Sequence, residues 1–246
     1  MMKRIFENGG EPLYGRRDSA ILLNPFRTGV LRLILHDHNP NFKPDDLLCL
    51  YMLTGGVAKY VALLMDAKAT TRAKILKYAT SPDSPFVTEG IELLISELGH
   101  DYGTYFSILQ LIAAGMTTQS EIDSVIGKNS GAYLSNLCDE YSFITKNTPL
   151  FSKLGARNIR WNIDDCYLRF WFRFIYPHQG MIEAGQTALL QQYVTDNYEQ
   201  FTGRTLERWF QIKMMESGQY TRIGNWWDKC GENELDLIAV NVSFFK

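Results

Sequence analysis

Two carboxylates towards the end of the sequence could bind a metal ion. Asp236 lies inside the apolar segment ELDLIA, residues 234–239, and Glu207 lies on a predicted helix upstream of it. Alternation along a strand places Glu234, Asp236 and Ile238 on one face, so the two acids of the strand project together. Paired strand carboxylates with a third on a neighbouring helix are what a Mg²⁺ site for phosphodiester hydrolysis requires. The alternative, an exposed strand face with ordinary surface acids, is favoured by spacing alone.

Basic residues are concentrated between Lys128 and Arg173. This segment carries seven lysines and arginines against four acids, whereas the whole chain has a formal net charge of −2. Any nucleic-acid surface must therefore be a local patch. One hypothesis is that the segment binds DNA. A recognition helix would then contact base edges through Asn129, Ser130, Tyr133 and Asn136. A wing would contact phosphates through Lys146, Lys153, Arg157 and Arg160. Scaffolding between proteins or domains explains the same segment equally well.

An unusually aromatic helix is predicted from Asp164 to Tyr176, and a Trp226-Trp227 pair follows later. Such side chains could stack on the bases of a single strand. Apolar aromatics at helical spacing also bury well against one another. Core packing is therefore the favoured interpretation.

Several common chemistries lack their motifs. No G-x-x-x-x-G-K-[ST] segment occurs, so no ATPase activity is expected of this chain alone. The four cysteines form no C-x-x-C pair, and the four histidines supply no second half of a zinc site. No cofactor is expected except Mg²⁺ at the carboxylates, and the sequence favours a protein that is not an enzyme.

The chain has 246 residues, of which 46% are apolar and 21% charged, which is enough to bury a sizeable core. Its longest stretch without a charged side chain, residues 102–120, contains too many polar residues for a membrane span. The opening residues MMKRIFENGGEP contain no apolar signal-peptide segment. We therefore expect a soluble cytoplasmic protein with no membrane partner.

The helices and strands that position these residues are predicted from the spacing of apolar residues and from the Gly and Pro residues that end or interrupt them. Helical patterns fill residues 25–100 after an irregular opening at residues 1–24. Residues 101–163 read as three helices and a hairpin, the order of a winged helix-turn-helix. Residues 164–246 read as the aromatic helix, further helices and two strands. The predicted fold class is α-rich α+β.

Several motifs resemble the C-terminal two-thirds of prokaryotic AAA-superfamily (STAND-type) ATPases. The most specific are RFWFRFIYP within residues 164–177 and ELDLIA in residues 234–239. PLYGR in residues 12–16 and YMLTGGVAKY in residues 51–60 are similar to the end of the ATPase core and to its helical lid. The likeness extends over nearly the whole sequence.

The resemblance implies a core end in 1–24, a lid remnant in 25–100, a winged helix in 101–163 and a truncated PD-(D/E)XK nuclease-like domain in 164–246. Glu207 and Asp236 match two acids of that nuclease motif, whereas its E-x-K is not found in the sequence. The implied function is a DNA-binding or DNA-associated module without its own ATPase activity. The alternatives are a scaffold that docks on an intact ATPase or self-associates, and an inactive metal-dependent nuclease.

Overall fold

The first half of the described chain is a run of helices. The computed structural model describes residues 16, 19, 21, 23–98, 102–153, 155–229 and 231–241. The helices before the first hairpin are Thr28–His38 (α1), Pro44–Thr54 (α2), Ala58–Asp66 (α3), Arg72–Ala79 (α4), Pro85–Leu98 (α5), Tyr102–Ala114 (α6), Gln119–Ile126 (α7) and Gly131–Ser135 (α8). A π-helical turn at Asn136–Glu140 extends α8. This order agrees with the predicted helical bundle followed by three helices.

The sequence predicts a capping box from Thr118 and Glu121 and helix ends at Gly127 and Gly55, and the structure has all of them. At the start of α7, the backbone N–H of Thr118 donates to the Glu121 carboxylate at 2.9 Å, and the backbone N–H of Glu121 donates to the Thr118 hydroxyl. Gly127 ends α7 with φ 73°, and Gly55 ends α2 with φ 55°. Both glycines occupy the left-handed region that a helix C-terminus commonly needs.

The second half begins with the aromatic helix, Cys166–Phe170 (α9), which continues as a π-helical turn at Trp171–Ile175 and a 3₁₀ turn at Tyr176–His178. Three helices follow: Gln179–Glu183 (α10), Thr187–Asp196 (α11) and Tyr198–Ser217 (α12). The sequence pattern predicts the last of these helices from Arg204 to Glu216, but the helix begins six residues earlier, at Tyr198. Its first turn is anchored because Tyr198 is buried and donates its hydroxyl to Asp45 at 3.1 Å.

Two short antiparallel hairpins complete the described fold. Thr145–Asn147 (β1) pairs with Arg160–Asn162 (β2), and Arg222–Trp227 (β3) pairs with Glu234–Val240 (β4) with an irregularity at Gly224. All four strands are shorter than their sequence patterns predicted. The helices and small antiparallel sheets confirm the α-rich α+β class.

The aromatic helix lies at the centre of the core. Phe170, Trp171, Phe172 and Phe174 are each at most 1% exposed. The Trp171 ring packs edge-on against Phe106 of α6 at a centroid distance of 6.1 Å. The expectation that these aromatics pack in the core is therefore confirmed.

The buried core is continuous from α1 to α12. The rings of Tyr60 on α3 and Tyr167 on α9 lie 4.7 Å apart, and Tyr167 also packs edge-on against Phe86 of α5. Helices α3 and α5 and the aromatic helix thus share one core. The segment expected to end an ATPase core, residues 1–24, lies almost entirely outside the described residues, as do residues 242–246. Across the described residues, no helix combines the length and apolarity of a membrane span.

Candidate functional site

A polar cleft of about 860 Å³ opens between α9, α12 and the two hairpins. Glu207 of α12 and the β4 acids Glu234 and Asp236 all line it. Residues far apart in the sequence meet here because the turn after α12 folds β3 and β4 back along that helix. The two carboxylates that the sequence singled out therefore face the same cavity.

Glu207 is only partly exposed. Burial raises the pKa of its carboxyl above the ordinary value, the nearby Asp236 raises it further, and Arg204 opposes the shift. The charged form is disfavoured because two like charges face one another in a partly desolvated space.

Metal binding by these acids stays a prediction. Within the described ranges, no group of three or more His, Cys, Asp or Glu side chains is placed to hold a metal ion. Polar protein groups connect the two elements instead: the Gln211 side chain donates to Asn225 at 2.7 Å, and Asn225 donates to the Asp236 carbonyl at 2.6 Å. The geometry fits a hydrogen-bonded cleft better than a preformed Mg²⁺ site.

We expect that Glu207→Gln raises the free energy of unfolding at neutral pH but not in acid. The folded-state pKa lies above the ordinary value, so the unfolded state loses its proton first and stability falls as the pH rises between the two pKa values. Glutamine stays neutral and abolishes this fall. Urea unfolding from about pH 4 to pH 8 measures the effect. Equal gains at both ends of that range, or the same gain in Glu183→Gln on exposed α10, would contradict it.

Arg160 was predicted to contact phosphates from the wing, but it faces the cleft. Its guanidinium forms an ion pair with Glu234 and lies 4.5 Å over the Trp227 ring. The Trp227 indole donates to Asn158 at 2.8 Å. These contacts fasten the β1–β2 hairpin to the β3–β4 hairpin, which gives Arg160 a structural role.

The four predicted base-contacting residues have different environments. Asn129 and Asn136 are exposed, and Tyr133 is partly exposed. Ser130 is fully buried, and its hydroxyl and backbone N–H both donate to Asp123, at 2.5 and 2.7 Å. Because the hydroxyl is already committed in the interior, Ser130 fixes the turn between α7 and α8 and offers no surface to a base.

The other three wing cations remain on the surface. Lys146, Lys153 and Arg157 are all exposed. None of them forms an ion pair with a described residue, in contrast to Arg160. Their charges are therefore available to an outside partner.

Sequence reasoning missed four cleft arginines as a group. Arg169 and Arg173 are one turn apart on the aromatic helix, and Arg204 and Arg208 are one turn apart on α12. The i,i+4 spacing within each pair was a readable signal. The sequence did not predict that both pairs line one cleft, because this depends on how the two helices pack.

Part of the cleft-forming region matches a family with no assigned function. The model of DUF234, described as "Archaea bacterial proteins of unknown function", matches residues 171–243. Over 240 residues the chain is 29% identical to an uncharacterised protein of Methanocaldococcus jannaschii, a match that covers 94% of this chain and 52% of that protein. The chain thus spans about half the length of that relative. No solved structure gives a significant match. The chain is therefore similar to archaeal and bacterial proteins of unknown function, most specifically in the segment that builds α12, β3 and β4.

Proposed function

We propose that this chain is a duplex-DNA-binding module that acts through a winged helix formed by α6, α7, α8 and the β1–β2 hairpin. The observation that carries the proposal is the set of three exposed wing cations, Lys146, Lys153 and Arg157, without acidic partners among the described residues. In line with the resemblance, we propose that it serves as the C-terminal part of an AAA-superfamily ATPase-like protein and has no ATPase activity of its own.

The wing is the part of this unit that suits phosphate contacts. Its three cations lie on β1 and on the connection between β1 and β2. The far end of the predicted recognition helix is less suitable, because the exposed Asp139 and Glu140 lie on its π-helical continuation. Phosphate contacts give affinity and orientation but carry no base information. We therefore propose binding with weak sequence preference.

Fluorescence anisotropy of a labelled duplex at several salt concentrations tests the proposal. The triple change Lys146→Ala, Lys153→Ala and Arg157→Ala is expected to weaken binding and to make the slope of log affinity against log salt less steep by roughly 2 to 3. The matched control removes three exposed lysines from α4 and α12, Lys74, Lys77 and Lys213. The control has the same net charge as the triple variant, so an equal loss in both would show a general charge effect and refute the wing.

A second candidate function is self-association or docking on another protein. It is favoured by Leu206 and Phe210, which are 41% and 49% exposed one turn apart on α12, and by the 54% exposed Leu235 of β4. No duplex binding in the anisotropy experiment, together with a sedimentation coefficient that rises with concentration, would favour this function over the first.

A further inference from the structure

The acids of the cleft are largely engaged by protein groups. Glu121 accepts three hydrogen bonds from the α7 start, and Asp228 accepts backbone N–H groups of its own turn. Glu234 is paired with Arg160, and Asp164 lies 3.9 Å from Arg208. Only Glu207 and Asp236 lack such a partner within the described residues.

Three further cations of the same cleft are Arg169, Arg173 and Arg204; the charges of Arg169 and Arg204 act on the Glu207 carboxyl, but neither forms an ion pair with it. We call these three arginines the arginine cluster. No ion pair between described residues includes any of them. Arg173 donates to the Tyr193 hydroxyl at 3.4 Å and lies 5.4 Å from the centre of the Phe174 ring, and Arg204 donates to the Gly115 carbonyl at 3.5 Å. Hydrogen bonds of this length to uncharged acceptors stabilise a guanidinium charge only weakly.

Arg169 is the most constrained member of the cluster. Its guanidinium donates to the fully buried Thr205 hydroxyl and lies 5.2 Å from the centre of the Phe201 ring. Its Nε atom is buried and has no hydrogen-bond partner in the structure. A buried N–H donor without a hydrogen-bond partner is costly, so its persistence points to an acceptor supplied from outside.

Helix geometry directs the cluster into one part of the cleft. Arg169 and Arg173 are one turn apart on the aromatic helix, and Phe201, Arg204 and Thr205 lie on one face of α12. The contacts of Arg169 with Phe201 and Thr205 bring these two faces together. All three arginines line the cleft.

We infer that the arginine cluster is a binding site for a phosphate group. A phosphate carries up to two charges and three or four acceptor oxygens, which suits three arginines lining one cleft better than the single charge and two oxygens of a carboxylate. The cleft is far larger than one phosphate, so the group belongs to a larger polar molecule: a nucleotide or a nucleic-acid strand. The inference is independent of the proposed function, because no wing cation takes part.

Calorimetric titration of the full chain tests the site. The probes are inorganic phosphate, a nucleoside monophosphate, its nucleoside without phosphate, and a short single-stranded oligonucleotide. At least one phosphate-bearing probe is expected to bind, and the bare nucleoside is not. Binding of the monophosphate indicates a free ligand, whereas binding of the oligonucleotide alone indicates a strand backbone. No binding of any phosphate-bearing probe would overturn the proposal.

Variants connect binding to the cluster. Arg169→Met keeps the apolar stem and is expected to weaken binding about tenfold or more, and so is Arg204→Met. Arg204 is exposed, so its variant decides the question if the Arg169 variant does not fold. Arg222→Met, an exposed arginine outside the cleft, is the control. Unchanged affinity in the Arg204 variant, or equal loss in the control, refutes the site.

The wing triple variant should bind these probes normally, which separates a failure of the phosphate site from a failure of duplex binding.

Discussion

Replacing Trp171 with alanine is expected to lower the free energy of unfolding by about 3 to 5 kcal/mol. The side chain is 0% exposed, its ring stacks on Tyr176 at 5.3 Å, and its indole N–H donates to the Val87 carbonyl at 3.2 Å. The change removes this packing and the indole hydrogen bond and leaves a cavity. Urea unfolding measures the loss, and Trp226→Ala, at a partly exposed strand position, should cost less. An equal cost at the two positions would contradict the central role of Trp171.

The same contact can be tested from the opposite helix. A Cβ atom added at Gly90 of α5 would lie 2.4 Å from Trp171 Cε2, so the indole rests directly on the backbone of that helix. Gly90→Ala alone should therefore destabilise the protein by about 1 to 3 kcal/mol through overpacking. In the Trp171→Ala background the clash is gone, and alanine should be neutral or favourable in the helix. Strictly additive effects would show that the two positions do not touch.

These core contacts also bear on the cleft. Trp171 lies between Arg169 and Arg173 in the sequence, on the same continuous helical segment. Because the ring anchors that segment to α5, it holds the two arginines on the cleft side. The aromatic residues thus stabilise the fold and position the charges, although they do not themselves meet a ligand.

Local signals in the sequence were sufficient to find most elements. The Thr118–Glu121 spacing predicted the capping box, and Gly127 predicted the end of α7, because both depend on neighbouring residues only. The aromatic spacing of residues 167–176 likewise predicted a buried helix. The π-helical turn at Trp171–Ile175 was not predicted, since no local residue pattern distinguishes it from an ordinary helical turn.

The cleft depends on contacts that local patterns do not contain. Arg160 and Glu234 are 74 residues apart, and alternation alone placed Arg160 on a DNA-facing wing. The ion pair forms because the two hairpins pack together, which also buries Trp227. The grouping of Glu207 with Asp236 was predicted from their residue types on a helix and a strand and from the family resemblance, whereas the arginines of the cleft were missed because two helices had to be placed in space first.

Gly56 is the position where a single methyl group should have the second large effect on stability. Its φ of 82° is unfavourable for any residue with a Cβ atom, and an added Cβ would lie 2.5 Å from the Phe26 carbonyl oxygen. That oxygen belongs to the backbone, and the adjacent Phe26 N–H donates to the Gly56 carbonyl at 2.8 Å, so the segment cannot move away without losing this bond. Gly56→Ala is therefore expected to cost about 3 kcal/mol.

The matched control for Gly56 is Gly127→Ala. Gly127 has a similar φ of 73°, but nothing lies within 4 Å of the position a Cβ would take. Gly127→Ala is therefore expected to lower the free energy of unfolding by only about 1 to 2 kcal/mol, the cost of placing alanine in the left-handed region. The difference between the two variants in urea unfolding isolates the clash with residue 26. Equal losses would mean that the segment before α1 yields freely, and that its contact with the α2–α3 turn does not help to hold the fold.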